Sequence, residues 1–175
     1  LGEQMLIQAC QFVQQLNHMR TVQGQSALSV HVNFSAHHFS SSSLLANLRH
    51  ILDETSLNPQ HLVIEITESM LIERPVESVR RMEQIKQLGV KLALDDFGTG
   101  YSALNTLCQY PLDIVKLDRS FVLLLMDGKQ GEVLVRAIIN MAKDLELDMV
   151  AEGVETYEQL QKIKALGVSE IQGFY

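Results

Sequence analysis

Residues 92–104 read LALDDFGTGYSAL. An apolar run of strand type ends in two adjacent aspartates, Asp95 and Asp96, and Phe97-Gly98-Thr99-Gly100 then turns the chain. Adjacent carboxylates repel, and a buried unpaired charge costs several kcal/mol. A positive partner must sit at the end of this strand. Side chains alternate along a strand, so Asp95 and Asp96 should face opposite sides unless the strand breaks between them. The glycines just beyond favour a break.

Working outward, hydrophobic periodicity predicts strands over 27–34, 62–67, 91–97, 114–118, 149–154 and 170–175. Helices are expected over 1–19, 40–52, 75–88, 102–109, 132–145 and 157–166, with Pro75 suited to a first turn and Gly89 to a stop. Asp127-Gly128-Lys129-Gln130-Gly131 is the one stretch that resembles a linker. Strands alternating with helices imply an α/β fold with a parallel sheet and crossover helices. An open doubly wound sheet and an eight-stranded barrel both fit this pattern.

The chain has 175 residues, 46% hydrophobic and 20% charged, enough for one sizeable core. Its net charge of -7 argues against a nucleic-acid polymer as partner, because that surface needs clustered Lys and Arg. It leaves room for a small phosphate ligand if a bound cation inverts the local field. The two cysteines, Cys10 and Cys108, belong to no CxxC or His-rich cluster, which disfavours structural zinc and a disulfide framework and fits a reducing compartment. No apolar run approaches the roughly 20 residues of a bilayer span, so no direct membrane contact is expected of this segment.

Almost every predicted strand ends in a polar residue that a core would not choose. These are Asn33, Glu65, Asp95 with Asp96, Lys116 with Asp118, Glu152 and Gln172. A lone strand-end Asp or Asn is usually a turn former or cap. A set drawn from every strand fits a barrel face better. The donors are carboxylates, an amide and a lysine, without His or Cys, and hard oxygens select Mg²⁺, Mn²⁺ or Ca²⁺ over zinc. A bridging aspartate beside a second one can hold two cations that activate water and clamp a phosphoryl group, so metal is the expected positive partner of Asp95 and Asp96. Lys116 could then hold the attacking water or neutralise a phosphate oxygen, and Glu152 is a candidate base or further ligand. Enolisation with a lysine base stays open on the same residues.

Taken in order, Asn33-Phe34-Ser35, EITES from Glu65, DDFGTGYS from Asp95, KLDRSFV from Lys116, AEGVET from Ala151 and QGFY from Gln172 resemble the motifs of the EAL-domain family over essentially the whole chain. These are bacterial cyclic di-GMP phosphodiesterases with a modified TIM (β/α)8 barrel. The resemblance implies metal-dependent hydrolysis of cyclic di-GMP to linear pGpG, using Mg²⁺ or Mn²⁺ in a two-metal site, with Ca²⁺ inhibitory. It assigns Asn33, Glu65 and Asp95 to the first metal, and Asp95 and Asp96 to the second with help from Asp118 or Glu152. Lys116 would contact the nucleophilic water, Glu152 would act as base or outer ligand, and Gln172 would position water or a ligand group. Glu68 would brace the loop after Gly98, and Glu155 would be supporting. The family pairs through the region from Thr99 to Gln109, which implies a homodimer there. Such domains follow sensory, GGDEF-type or membrane segments, so the resemblance places this part in the cytoplasm even where the parent is membrane-tethered.

One departure stands out. No Glu-Ala-Leu tripeptide occurs, although its glutamate ligates the first metal in the family. About six of the barrel's eight strand units are counted. Residues 1–175 are therefore expected to be an EAL-type domain incomplete at both ends. The competing function is a catalytically silent receptor for the dinucleotide, since silent members typically lose an acidic ligand. Among the remaining residues, His31 reads as a hydrogen-bonded core histidine, Cys108 as core on a short helix, and Arg80-Arg81 as a solvated helix face. Arg119 could reach a phosphate or pair with an acid.

Overall fold

The computed structural model describes residues 3–72, 75–97, 107–168 and 170–175. Six strands run in the sheet order β1 to β6, and the pairings β1–β2, β3–β4, β4–β5 and β5–β6 are all parallel. The chain divides into two compact units, Leu1–Ile66 with Met70–Leu92, and Thr67–Ser69 with Ala93–Tyr175. Each unit is built around its own part of the sheet.

In the first unit, α1 (Glu3–Val22) buries Leu6, Cys10, Val13 and Asn17, one stripe at helical spacing. Burial pushes the Cys10 thiol up to about 11, which makes it a core filler rather than a nucleophile. Asn17 explains why β1 (Val30–Asn33) is shorter than the predicted strand. Its amide donates to the Leu28 carbonyl (2.9 Å) and accepts from the Leu28 N–H (2.7 Å), so the Leu28 backbone is satisfied by a side chain.

The predicted helix over 40–52 is two helices, α2 (Ala36–Ser40), capped by Ser35, and α3 (Leu44–Thr55). Arg81 on α5 (Pro75–Gln87) reaches across to the break. It donates to the Phe39 and Ser41 carbonyls, both at 2.6 Å, and its guanidinium lies over the Phe39 ring. The solvated face expected for Arg80-Arg81 therefore holds for Arg80 alone, because Arg81 satisfies carbonyls that α2 leaves open. The strand β2 (Leu62–Thr67) has the predicted bounds. A short helix α4 (Glu68–Ile72), absent from the prediction, follows it.

The strand β3 (Lys91–Phe97), again as predicted, contributes Lys91 and Leu92 to the first unit and the rest to the second. The second unit continues with β4 (Ile114–Leu117), α6 (Arg119–Leu124), α7 (Gly128–Asp144), β5 (Asp148–Glu152), α8 (Tyr157–Ala165) and β6 (Glu170–Gln172). Its core joins Leu117, Val122, Val135, Ile139, Ala151 and Ile163. Asp118 is not the end of β4 but the N-cap of α6, accepting from the Ser120 N–H at 2.9 Å. The expected linker at Asp127–Gly131 is the start of α7. Gly131 is needed because a Cβ there would collide with the Leu124 carbonyl of α6. β5 stops at Glu152 because Gly153 turns the chain with φ +67°. No helix among the described residues is long and apolar enough to cross a membrane.

Candidate active site

The strand ends of the second unit gather the charges. Along β3 the pairing to β4 runs Leu94↔Val115 and then Phe97↔Leu117, so β3 carries one residue more than its partner over this step. Asp96 sits within that bulge with φ +53°. A bulge re-aims side chains. Carboxylate oxygens of Asp95, Asp96 and Glu152 consequently lie within 4.8 Å of one another. The strand does not end between the two aspartates, as the following glycines suggested. It continues to Phe97, and the bulge brings both to one cluster. Gly98 and Gly100 lie outside the described residues.

Lys116, on the fully buried strand β4, brings a positive charge into this cluster. Its Nζ lies 3.0 Å from Asp95 Oδ1 and 2.7 Å from Glu152 Oε1, with only 4% of the side chain exposed. Asp96 is held above the ordinary carboxylate range, first by burial and then by the charges of Asp95 and Asp118, against the opposing pull of Lys116. At Asp118 burial pushes upward too, but hydrogen bonds from Ser120 and Arg119 and the Arg119 charge outweigh it and hold the carboxyl low. Asp118 stands outside the close carboxylate triad, with one oxygen committed to its cap.

Gln172 on β6 is in register with Glu152 on β5, which places it beside the cluster on the next strand. Glu155 pairs with Arg119 through two bonds, Nε to Oε1 at 3.2 Å and Nη2 to Oε2 at 3.0 Å. Of the two alternatives left open for Arg119, the structure contains the acid pair. Glu68 is 3% exposed, and neither carboxylate oxygen has a hydrogen-bond partner among the described residues. The loop it was expected to brace lies outside them.

In the first unit, Asn33 and Glu65 are register partners on β1 and β2. Glu65 is buried, and His31 Nδ1 lies 2.8 Å from its Oε1. His31 is hydrogen-bonded as expected, but it is not a core residue. Its side chain is 32% exposed, because the face it shares with Asn33 is open. The bond to Glu65 had no signal in the sequence, since it needs two strands in register. Of the stretch from Thr99 to Gln109, residues 99–106 lie outside the described residues. Cys108, expected in the core, is exposed.

Three carboxylates with a lysine and no His or Cys suit a hard divalent cation. A parallel α/β fold carrying this set at its strand ends is the architecture of a carboxylate-rich α/β site domain. The family model described as "EAL domain" matches residues 1–175, and the chain belongs to that family. It is 36% identical over 174 residues to the cyclic di-GMP phosphodiesterase NbdA of Pseudomonas aeruginosa, covering 99% of this chain and 22% of that protein. Among solved structures it is similar to the Pseudomonas aeruginosa MucR phosphodiesterase in complex with c-di-GMP, with TM-score 0.85 and 36% identity over 99% of this chain and 68% of that one. The EAL domain of Mycobacterium smegmatis DcpA gives TM-score 0.87 and 31% identity over 99% and 77%. The chain thus has the α/β fold of the EAL barrel, with six of its strand units among the described residues. It spans only 20–22% of the length of such curated relatives.

Proposed function

We propose that this chain supplies most of the catalytic domain of a metal-dependent phosphodiesterase that opens cyclic di-GMP to linear pGpG. The observation that carries the reading is Lys116 held between Asp95 and Glu152, with Asp96 in the same cluster. The donor set fits Mg²⁺ or Mn²⁺, with Asp95 and Asp96 as ligands and Glu152 beside them in the same cluster. Bound there, such ions would polarise the phosphate and make water a nucleophile at neutral pH.

The chain's own residues then have distinct tasks. The Lys116 ammonium donates a hydrogen bond to the water oxygen and orients it toward phosphorus. A Glu152 oxygen takes the proton as the new P–O bond forms and one ester P–O bond breaks, and the departing sugar oxygen takes a proton from water to become the free hydroxyl of the linear product. Gln172, one strand over, orients the water or the ligand. Asp118 anchors the start of α6 and adds negative charge beside Asp96. Residues 1–175 are read as the larger part of an EAL domain that pairs as a homodimer through the stretch from Thr99 to Gln109. The same reading places this segment in the cytoplasm.

The test is turnover of cyclic di-GMP with Mn²⁺ or Mg²⁺, following pGpG, on this chain and on a version extended upstream of Leu1. Cleavage by either supports an enzyme. Binding without pGpG in both moves the chain to the receptor class.

A further inference from the structure

We propose that Arg119 and Glu155 form a latch that sets the distance between Lys116 and Glu152. They are positioning residues for the proposed site, and the inference deepens the reading above. The pair closes over Gly153 and joins the two chain junctions that follow the reacting side chains. Arg119 stands three residues after Lys116, at the start of α6, and Glu155 stands three residues after Glu152.

Both ends of the latch are mounted on fixed backbone. Asp118 caps α6 immediately before Arg119. Gln159 on α8 accepts from the Glu155 N–H at 2.7 Å and the Thr156 N–H at 3.0 Å, and Thr156 closes a capping box with it. Between them, Gly153 turns with φ +67°, and a Cβ there would lie 2.7 and 2.8 Å from Arg119 Cβ and Cδ. The loop thus makes room for the stem of the arginine on its way to Glu155. The pair draws the Glu155 carboxyl below its usual range, through the Arg119 hydrogen bond and then its charge.

Stability does not explain this arrangement. Both side chains are well exposed, at 51% and 36%, and an exposed ion pair contributes little to folding. A planar fork meeting a carboxylate at two points does fix relative position, which a single flexible ammonium cannot do. The position fixed here is that of the Gly153 turn, directly after Glu152, against the end of β4. The backbone register Lys116↔Val150 places the two strands. The latch sets how the last residue of β5 turns its carboxylate onto Lys116 at 2.7 Å.

The experiment uses the ¹⁵N-labelled chain without substrate, following the Lys116 ammonium by NMR through its proton exchange and its cross-peaks to the Glu152 side chain. R119E and E155R each remove the latch, and the double variant restores it with reversed charge. We expect each single change to speed Lys116 ammonium exchange about threefold or more, and the double variant to recover most of it. R119K, which keeps the charge but loses the fork, should fall between and covers the case in which a charge reversal fails to fold. Circular dichroism identifies folded variants. Unchanged Lys116 exchange in folded R119K and E155R, or no recovery in a folded double variant, overturns the latch. Because no substrate is present, that result would leave the proposed hydrolysis standing, and a failure to hydrolyse would leave the latch standing.

Discussion

Lys116 and Glu152 face one another across two adjacent parallel strands at 2.7 Å, and the lysine is the deeper of the pair, 4% exposed against 17%. Its second contact, to Asp95, comes from the strand on its other side. One ammonium therefore holds two carboxylates that would otherwise repel.

Removing that ammonium takes the shared cation away from both acids. Lys116→Ala is expected to lower folding stability by about 3 kcal/mol, the usual cost of breaking an ion pair by removing its buried partner. Urea denaturation of the metal-free protein measures it. Under the proposed function the same change should reduce turnover more than cyclic di-GMP binding, as a water-orienting role requires. Equal losses in both would argue against that role.

Divalent cations should bind the folded chain through the acidic cluster. Mn²⁺ is expected to raise the melting temperature through linkage, and EDTA should reverse the rise. Asp95→Asn should abolish the effect and, under the proposed function, hydrolysis. An undiminished Mn²⁺ shift in this variant would remove Asp95 from the ligand set.

Asp96 and Asp118 give opposite pH dependences. Asp118 titrates below its ordinary 3.8 in the fold, so its stabilisation is full above that value and disappears as pH falls through the lower folded one. Asp96 titrates above 3.8, so its contribution is favourable at low pH and is lost as pH rises through the raised folded value. In metal-free protein, Asp96→Asn should therefore gain stability relative to the parent at neutral pH, and asparagine tolerates the positive φ. Asp118→Asn should flatten the acid limb while keeping the α6 cap. Stability measured from pH 3 to 7 separates the two.

His31 is the partner a sequence reader would overlook. His31→Ala withdraws a hydrogen bond from the buried carboxylate of Glu65, with an expected loss of about 1–2 kcal/mol. Thermal melts of metal-free protein check this. No loss would show that the other contacts of Glu65 suffice.

The site residues were readable because their types are unusual where they occur. A carboxylate or lysine at the end of an apolar strand run stands out against any core preference, and β2 and β3 carried clean enough patterns to give their bounds. The predicted β1 ran too long because Leu28 looks like a strand residue. Only the fold brings Asn17, eleven residues away, to take its backbone hydrogen bonds. The helix α6 went unseen because Asp118 reads equally well as a strand end and as a helix cap. Cys108 and Arg81 were placed on the wrong side of the surface for the same reason: local hydrophobicity does not tell which neighbours arrive.

The amino-acid order by itself determined the parallel α/β alternation, the donor chemistry of the site and the family, because periodicity and residue type are local properties. Tertiary structure alone decided that a bulge with Asp96 at φ +53° turns both aspartates to one cluster. It also decided that Lys116 pairs with Asp95 and Glu152, and that Arg119 closes on Glu155 over Gly153. Each of those depends on the register between separate strands and on the path of a turn, and a charge finds its partner only where that register puts it.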